Sequence, residues 1–298
     1  HGSLGDIVFA LPVIHSIKSH YSNKNLDLLT ESKYVSFFKK SKYFQSIIND
    51  NRSSNFLKTI KILINIMNNK YDLIIDLQNS SRTFYYNIFF RLFCSAKISS
   101  SRPFAHFRYQ IPAQGIETAT QGLLNQIRLI SIKEALDIQY HWLHEDLDYQ
   151  YNKQIVLFIP GVSMSGKNKQ WDPIKFGDLA RYCEKLGYTI CIVGTKNDYK
   201  SVLPIIKNCK KLINNIDSSP PNIIYSIAKK SILVVTNDTG PGHIAALSGK
   251  NILWILNDNN ITKANIDSNS KNLKLLSTDI NNISLDTVIS YIEKNKLL

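Results

Sequence analysis

The sequence predicts an α/β protein with two domains, each built on a parallel sheet. Short apolar runs alternate with longer amphipathic stretches, a pattern typical of strands joined by helices. A polar segment at 145–153 separates two such series and is interpreted as a linker. The length of 298 residues fits two domains, and a hydrophobic fraction of 44% suffices for two cores. We therefore expect an N-terminal domain at 1–150 and a C-terminal domain at 151–298.

The first half opens on a glycine turn followed by a helix. Residues 7, 8, 11, 14 and 17 are apolar and share one face of a helix that starts near Asp6. Because a strand–turn–helix unit needs a strand before its turn, we expect that the first strand of this domain is missing from the sequence. The other elements predicted in this half are strands at Leu26–Leu29, Ile47–Ile48 and Asp72–Leu77 and helices at Phe56–Met67, Arg82–Phe93 and Thr118–Ile132.

The second half starts with the apolar run Ile155–Ile159. Asp172 and Pro173 form a cap followed by a residue favoured at the first helical position, so a helix is predicted to begin there. The later strands are predicted at Thr189–Val193, Ser231–Val235 and Ile252–Ile255, and the helices at Pro173–Leu186, Asp198–Lys207, Asn222–Ala228, Gly242–Ser248 and Leu285–Lys294.

The turn that follows Ser231–Val235 is the strongest candidate site. It contains Asp238, Thr239, Gly240, Pro241, Gly242 and His243. The segment lies at the carboxyl end of a predicted strand, where open parallel sheets bind ligands. Its glycines let the backbone approach a ligand, and the N–H groups at the helix start favour an anion such as a diphosphate. The alternative is an ordinary turn in which Asp238 or Thr239 caps the helix.

Two further segments carry candidate chemistry. Asp6 is a carboxylate at a glycine-bearing turn, and it is either a reactive acid or a residue that caps the first helix. Gly161–Lys167 matches the phosphate-loop spacing, but Asn168 stands where that pattern needs Ser or Thr. We interpret the segment as a hydroxyl- and lysine-rich ligand loop. The alternative for its lysines is plain surface exposure.

The net charge of +13 indicates an anionic partner or surface. No acid lies between Asp76 and Glu117, where bases alternate with aromatic residues. Such a segment suits an anionic membrane, an acidic glycolipid or, least of all, nucleic acid, and it is otherwise a solvated face. The four cysteines lack metal-ligand spacing and predict reduced thiols in a cytosolic protein. No uninterrupted apolar stretch reaches the ~20 residues of a membrane span.

Taken together, these segments resemble glycosyltransferase family 9, the lipopolysaccharide heptosyltransferases. The motifs that carry the resemblance are Ser3-Leu4-Gly5-Asp6 with Leu11-Pro12, Asp76-Leu77-Gln78, Lys169-Gln170-Trp171, and Asp238-Thr239-Gly240 with His243 and Ala245-Ala246. The chain departs from the family in the extra Asp172 before Pro173, in a longer loop at 161–169 and in the absence of a glycine after 252–256. The resemblance implies a GT-B fold, in which two Rossmann-like domains face a cleft.

The resemblance also implies a reaction and a set of site residues. The reaction is an inverting, metal-independent transfer of a heptose-like sugar from a nucleotide-diphosphate donor, ADP-heptose, to a lipopolysaccharide core acceptor. It needs no cofactor and takes place in the cytoplasm, with peripheral contact at the inner membrane. Asp6 is the implied base, and Lys169 the group that offsets charge on the leaving phosphate. The implied donor-binding residues are Ser163, Ser165, Asp198, Asp238, Thr239, Gly240, Pro241, Gly242 and His243. The implied acceptor-binding residues are Gly5, Arg82, Arg102 and Arg108.

Three other functions stay open at this point. They are a phosphate-loop NTPase, a GT-B enzyme of other specificity such as a sugar-nucleotide epimerase or another glycan transferase, and a noncatalytic nucleotide-sugar binder. Asn168 argues against the first, because it breaks the magnesium site of the phosphate loop. Asp6 and Lys169 argue against the last.

Overall fold

The computed structural model describes residues 2–113, 115–151, 153–258 and 272–298, apart from the side chains of Tyr149 and Ser165. It contains two compact units, His1–Gln139 and Tyr140–Leu298. The chain thus divides before the predicted boundary at 150, because the intervening segment packs on the second unit. Leu143 is buried, and the backbone N–H of Glu145 donates to Ser226 Oγ at 2.7 Å.

The first unit has helices on two small parallel sheets. Its helices are α1 (Leu4–His20), α2 (Ser32–Ser41), α3 (Phe56–Asn68), α4 (Ser81–Phe93) and α5 (Ala119–Arg128). Its strands are β1 (Asp27–Thr30), β2 (Ser46–Asn49), β3 (Leu73–Ile75), β4 (Lys97–Ser100) and β5 (Phe107–Arg108). In the described residues β1 pairs with β2, and β3, β4 and β5 form a second sheet. A cavity in this unit is lined by residues of both β1 and β3.

The cores of the first unit lie under its helices. α1 and α5 pack through Val13, Ile17, Leu124 and Ile127. α3 and α4 bury Leu63, Ile66, Tyr86 and Phe90 around Ile98 of β4. α1 is buried on most of its surface, whereas α3 and α4 each bury one side in the core.

The second unit contains a larger sheet, whose six strands in the described residues are all parallel. In chain order it has β6 (Ile155–Ile159), α6 (Pro173–Lys185), β7 (Thr189–Gly194), α7 (Tyr199–Asn208), β8 (Leu212–Ile216), α8 (Pro221–Lys230), β9 (Ser231–Thr236), α9 (Gly240–Ala246), β10 (Asn251–Asn257), β11 (Asn272–Ser277) and α10 (Leu285–Lys294). The strand order is β8-β7-β6-β9-β10-β11. All five residues of β6 are buried, as expected for a central strand with helices on both faces.

The predicted fold class, α/β with parallel sheets, is confirmed. The apolar run Ile155–Ile159 is a strand with the predicted bounds, and Leu285–Lys294 is a helix with the predicted bounds. The N-terminal helix begins at Leu4, since Ser3 caps it. Among the α-helices and strands of the described residues, the sequence did not predict α2, β4, β5, β8 and β11.

Candidate functional site

The strand order of the second unit brings the loops after β6 and β9 together. Numbered from β6, the order reads 3-2-1-4-5-6, which is the order of dinucleotide-binding sheets. β6 and β9 are its first and fourth strands, and the direction of winding reverses between them. Ligands of such sheets bind at the carboxyl ends of these two strands. The residues that follow them are 160–172 and 237–239.

A charged network joins these two loops. Lys169 Nζ donates to Asp238 Oδ2 at 2.6 Å, and His243 Nε2 lies 3.0 Å from Asp238 Oδ1. The side chains of Asp238 and His243 are only 10% and 4% exposed, whereas Lys169 is 28% exposed. The His243 ring lies against Trp254 of β10, with a centroid distance of 5.0 Å. The structure therefore brings together three residues that the sequence analysis placed in the donor site.

Asp238 is held as a carboxylate by this network. Burial raises its pKa, but the hydrogen bonds from His243 and Lys169 together outweigh burial and lower the pKa to about 2. Both carboxylate oxygens are directed at these two partners. Asp238 is thus used as a bridging anion, which differs from the helix-capping role considered for it.

Asn237 fixes the two loops to each other, and the sequence analysis did not single it out. It is buried, its Oδ1 accepts from the Trp171 backbone N–H at 3.1 Å, and its Nδ2 donates to the Pro160 carbonyl at 2.9 Å. Gln170 donates to the same carbonyl at 3.1 Å. In the sequence, this role is indicated only by the position of an amide residue directly after a buried strand and directly before Asp238.

The other end of the first loop is anchored by Trp171. The indole is fully buried, and its N–H donates to the Ile283 carbonyl at 2.8 Å. Asp172 then caps α6 by accepting from the Ile174 N–H at 2.8 Å, with Pro173 in the first turn. The helix begins at Pro173, as predicted, whereas a phosphate loop would begin its helix at Lys167.

Gly242, in the first turn of α9, is required by the packing of that helix. Gly242 is buried, and a Cβ there would lie 2.6 Å from Thr236 Oγ1 and 3.1 Å from Trp254 Cζ3. Close packing of α9 therefore explains Gly242, where we had expected room for a ligand. Thr239 precedes α9 in an extended conformation, and Gly240 and Pro241 form its first turn.

The remaining donor-site candidates lie in the loop after β6 or border it. Asp198 Oδ2 accepts from the backbone N–H and the hydroxyl of Thr195, at 2.8 and 2.9 Å. A Cβ at Gly161 would overlap the Asp198 carboxylate, so this acid borders the loop after β6. Ser163 precedes the 3-10 helix Met164–Lys169 and is exposed. Ser165 lies within that helix, and its side chain is outside the described part of the structure.

In the first unit, Asp6 has a capping role. Its Oδ2 accepts from the Ser3 N–H, and Ser3 Oγ accepts from the Asp6 N–H, both at 3.2 Å. This reciprocal pair is a capping box, which is one of the two interpretations of Asp6 from sequence. Asp6 is also exposed, so the cap leaves its carboxylate accessible to solvent. Gly5 is half-buried in the first turn of the same helix.

The three candidate acceptor arginines all have internal partners. Arg82 contacts both oxygens of Asp50, at 3.0 and 3.2 Å, and Tyr86 Oη donates to Asp50 at 2.8 Å. Burial raises the pKa of Asp50, but its bonds to Arg82 and Tyr86 lower it below the usual value. Arg102 Nε donates to the Asn79 carbonyl at 2.6 Å. Arg108 is exposed, and its Nε lies 3.4 Å from the Ser101 carbonyl.

No group of three His, Cys, Asp or Glu side chains that could hold a metal ion occurs within the described ranges. The four cysteines are free thiols, and three of them are buried.

The strand order and the charged network define the class of this chain as an α/β protein whose second unit has the sheet order of dinucleotide-binding proteins and a charged network at the ends of β6 and β9. The family described as "Glycosyltransferase family 9 (heptosyltransferase)" matches residues 60–255, which is more than half of the chain. The chain belongs to this family, as the sequence motifs indicated, and it is a glycosyltransferase.

Known proteins agree with this assignment. Lipopolysaccharide heptosyltransferase 3 of Escherichia coli is 22% identical over 273 residues, covering 81% of this chain and 77% of that protein. The structure is similar to E. coli heptosyltransferase WaaC with ADP-2-deoxy-2-fluoro heptose (TM-score 0.79, 14% identity, 99% of this chain and 98% of that one). It is also similar to E. coli ADP-heptose lps heptosyltransferase II, with a TM-score of 0.77 and 14% identity, over 100% of this chain and 96% of that one. The predicted GT-B fold is confirmed by these likenesses.

Proposed function

We propose that the chain is an inverting, metal-independent heptosyltransferase that uses ADP-heptose as donor and a lipopolysaccharide core as acceptor. The observation that carries this proposal is the Lys169–Asp238–His243 network at the carboxyl ends of β6 and β9. It lies where a parallel sheet of this order binds a nucleotide. The name of one similar structure includes an ADP-heptose analogue, and the name of the curated relative includes lipopolysaccharide.

On the donor side, the residues of the second unit stabilise the departing diphosphate. Lys169 is the most exposed member of the network and carries the positive charge. As the sugar–phosphate bond breaks, negative charge grows on the phosphate, and Lys169 turns from Asp238 towards it. Asp238 holds Lys169 and His243 in position before this step and binds sugar hydroxyls. The ammonium group of Lys169 then neutralises charge on the phosphate, which is the role of a metal ion in other transferases.

The other donor contacts are assigned by position. Asp198 borders the loop after β6 and binds the ribose. Ser163 and Ser165 lie in the same loop and bind phosphate oxygens. Thr239, Gly240 and Pro241 precede or begin α9 and complete the diphosphate site together with His243.

On the acceptor side, Asp6 is the general base. It takes the proton of the acceptor hydroxyl as that oxygen bonds to the anomeric carbon and the diphosphate leaves from the opposite face. A single displacement of this kind inverts the anomeric configuration. Gly5, Arg102 and Arg108 contact the anionic acceptor. Arg82 is also assigned here, although its guanidinium group binds Asp50 in the structure. The enzyme works in the cytoplasm, at the cytoplasmic face of the inner membrane where a lipid-anchored acceptor is found.

The test is transfer from a panel of ADP-, GDP- and UDP-sugars to a purified core acceptor, with and without EDTA. We expect turnover with ADP-heptose, unchanged by EDTA, and a product whose anomeric configuration by NMR is opposite to that of the donor. Epimerisation of a donor without acceptor, hydrolysis of a nucleoside triphosphate, or binding without turnover would each replace the proposal by one of the alternatives. Loss of activity on chelation, restored by magnesium, would disprove metal independence.

A further inference from the structure

The outward face of α4 is apolar from Tyr85 to the end of the helix at Phe93. Tyr85, Leu92 and Phe93 are 67%, 70% and 62% exposed. Together with the half-exposed Phe89 they occupy positions i, i+4, i+7 and i+8 of the helix, which lie on one face. The other face of α4 buries Tyr86 and Phe90 in the core. This helix thus has two apolar sides, although a helix that only covers a sheet needs one.

The apolar surface continues beyond α4. Phe104, which follows β4, is 62% exposed, and its ring lies 6.1 Å from that of Phe84. Phe84 in turn contacts Tyr85, with a centroid distance of 5.4 Å. We call Tyr85, Phe89, Leu92, Phe93 and Phe104 the α4 surface. An exposed apolar group of this extent on a protein of this size marks an interaction site.

The charged residues of the chain segment that carries the α4 surface are all positive. Residues 77–116 contain no Asp or Glu. Arg91 and Lys97 are exposed. Arg91 contacts His106, whose pKa is lowered by burial and by the charges of Arg91 and Lys97. The positive field at neutral pH therefore comes from the fixed charges of Arg91 and Lys97.

We propose that the α4 surface docks the protein on an anionic lipid bilayer. A helix of 13 residues is about 20 Å long and can lie in the headgroup region with its apolar side inserted and its bases on lipid phosphates. A second copy of the chain is a poorer occupant, because a symmetric contact would place the same bases opposite each other without acids to pair them. Nucleic acid is also poorer, since Phe89, Leu92 and Phe93 offer no hydrogen-bond donor to its phosphates and would gain no apolar environment there.

This proposal deepens the proposed function, because the acceptor assigned there is anchored in a membrane. The test is independent of catalysis. The purified chain is centrifuged with vesicles of phosphatidylcholine alone, or of equal parts phosphatidylcholine and phosphatidylglycerol, without donor or acceptor. The test variant is Leu92→Gln with Phe93→Gln. Both positions are exposed, so the fold is retained. The matched control is Ile174→Gln with Leu186→Gln, two exposed apolar residues of the second unit.

We expect binding to the phosphatidylglycerol vesicles that falls about tenfold in the α4 variant, is unchanged in the control and weakens as salt is added. Arg91→Gln should reduce binding a few-fold. Equal binding of wild type and the α4 variant, or no preference for the anionic vesicles, would overturn the proposal. The proposal would also be overturned if size-exclusion chromatography showed a dimer of the wild type that the α4 variant does not form. Binding of the wild type to nucleic acid that the α4 variant loses would overturn it as well. Failure of transfer with intact vesicle binding would count against the proposed reaction alone.

Discussion

Asp238 shows at the scale of one residue how a nearly buried charge is stabilised by its neighbours. Its carboxylate is nearly buried and would be costly to hold without partners. Lys169 and His243 supply them, and in return the acid keeps both in place. The sequence predicted that these three residues belong to one site, because they occur in turns that follow strands. It could not predict their pairing, since Lys169 and Asp238 are 69 residues apart and meet only through the strand order.

The first prediction concerns the pH dependence of stability. The pKa of Asp238 is about 2 in the folded chain and 3.8 when unperturbed. A lowered pKa contributes stability above the unfolded value and loses it as pH falls through the folded value. By linkage this is about 2 kcal/mol at neutral pH, of which roughly half remains near pH 3. We expect the difference in unfolding free energy between wild type and Asp238→Asn, measured in urea, to shrink accordingly. Asp146→Asn, at a fully exposed acid, is the control and should show no such change.

The second prediction concerns Lys169 and His243, the two partners of Asp238. Lys169→Ala and His243→Ala should each reduce kcat/KM for the donor by an amount equivalent to about 2–4 kcal/mol, because each removes a group that we propose stabilises charge on the diphosphate. Lys167→Ala is the matched control, since Lys167 is exposed in the same loop and we expect it to have little effect. If Lys167→Ala were damaging and Lys169→Ala silent, the loop would have to be reassigned as a phosphate loop.

At the scale of helices and strands, the sequence predicted those elements whose characteristic pattern lies within the element itself. β6 is a continuous apolar run, and α6 starts at a cap followed by proline. β8 was not predicted because Leu212–Ile216 contains two Asn. One of them, Asn215, is buried with partners for its amide, and Tyr151 donates to its Oδ1 at 2.7 Å. That partner lies 64 residues away, and no local pattern reveals it. β5, with two residues, is too short for any periodicity.

The third prediction concerns the packing of α9. Gly242→Ala should destabilise the chain by about 1–3 kcal/mol, because the added methyl group meets Thr236 and Trp254. Unfolding free energies in urea would measure this. A double-mutant cycle with Thr236→Ala should show coupling, since that change removes the nearest obstructing atoms. Additive effects of the two changes would mean that Gly242 is required for another reason.

At the scale of the whole molecule, the roles that we propose fall on different units. The second unit has the sheet order and the charged network that suit a nucleotide diphosphate, whereas the candidate base and the α4 surface belong to the first. The family could be identified from short motifs because they lie at strand ends and helix starts, where residue type is tied to chemistry. The arginines show the limit of that approach. A base-rich segment predicted acceptor contacts, yet Arg82 stabilises the first unit through Asp50.

The fourth prediction separates these roles through Asp6. Because Asp6 also caps α1, Asp6→Ala would mix loss of a base with loss of a helix cap. Asp6→Asn keeps an acceptor for the Ser3 N–H but cannot take a proton. We expect it to lower kcat by ~10²–10⁴-fold, the usual value for a general base, while donor affinity by calorimetry stays near that of wild type. Ser3→Ala is the control for the cap and should lower stability by ~1 kcal/mol with kcat largely retained. Near-normal turnover in Asp6→Asn would leave Asp6 as a capping residue only, and the base would have to be sought elsewhere in the chain.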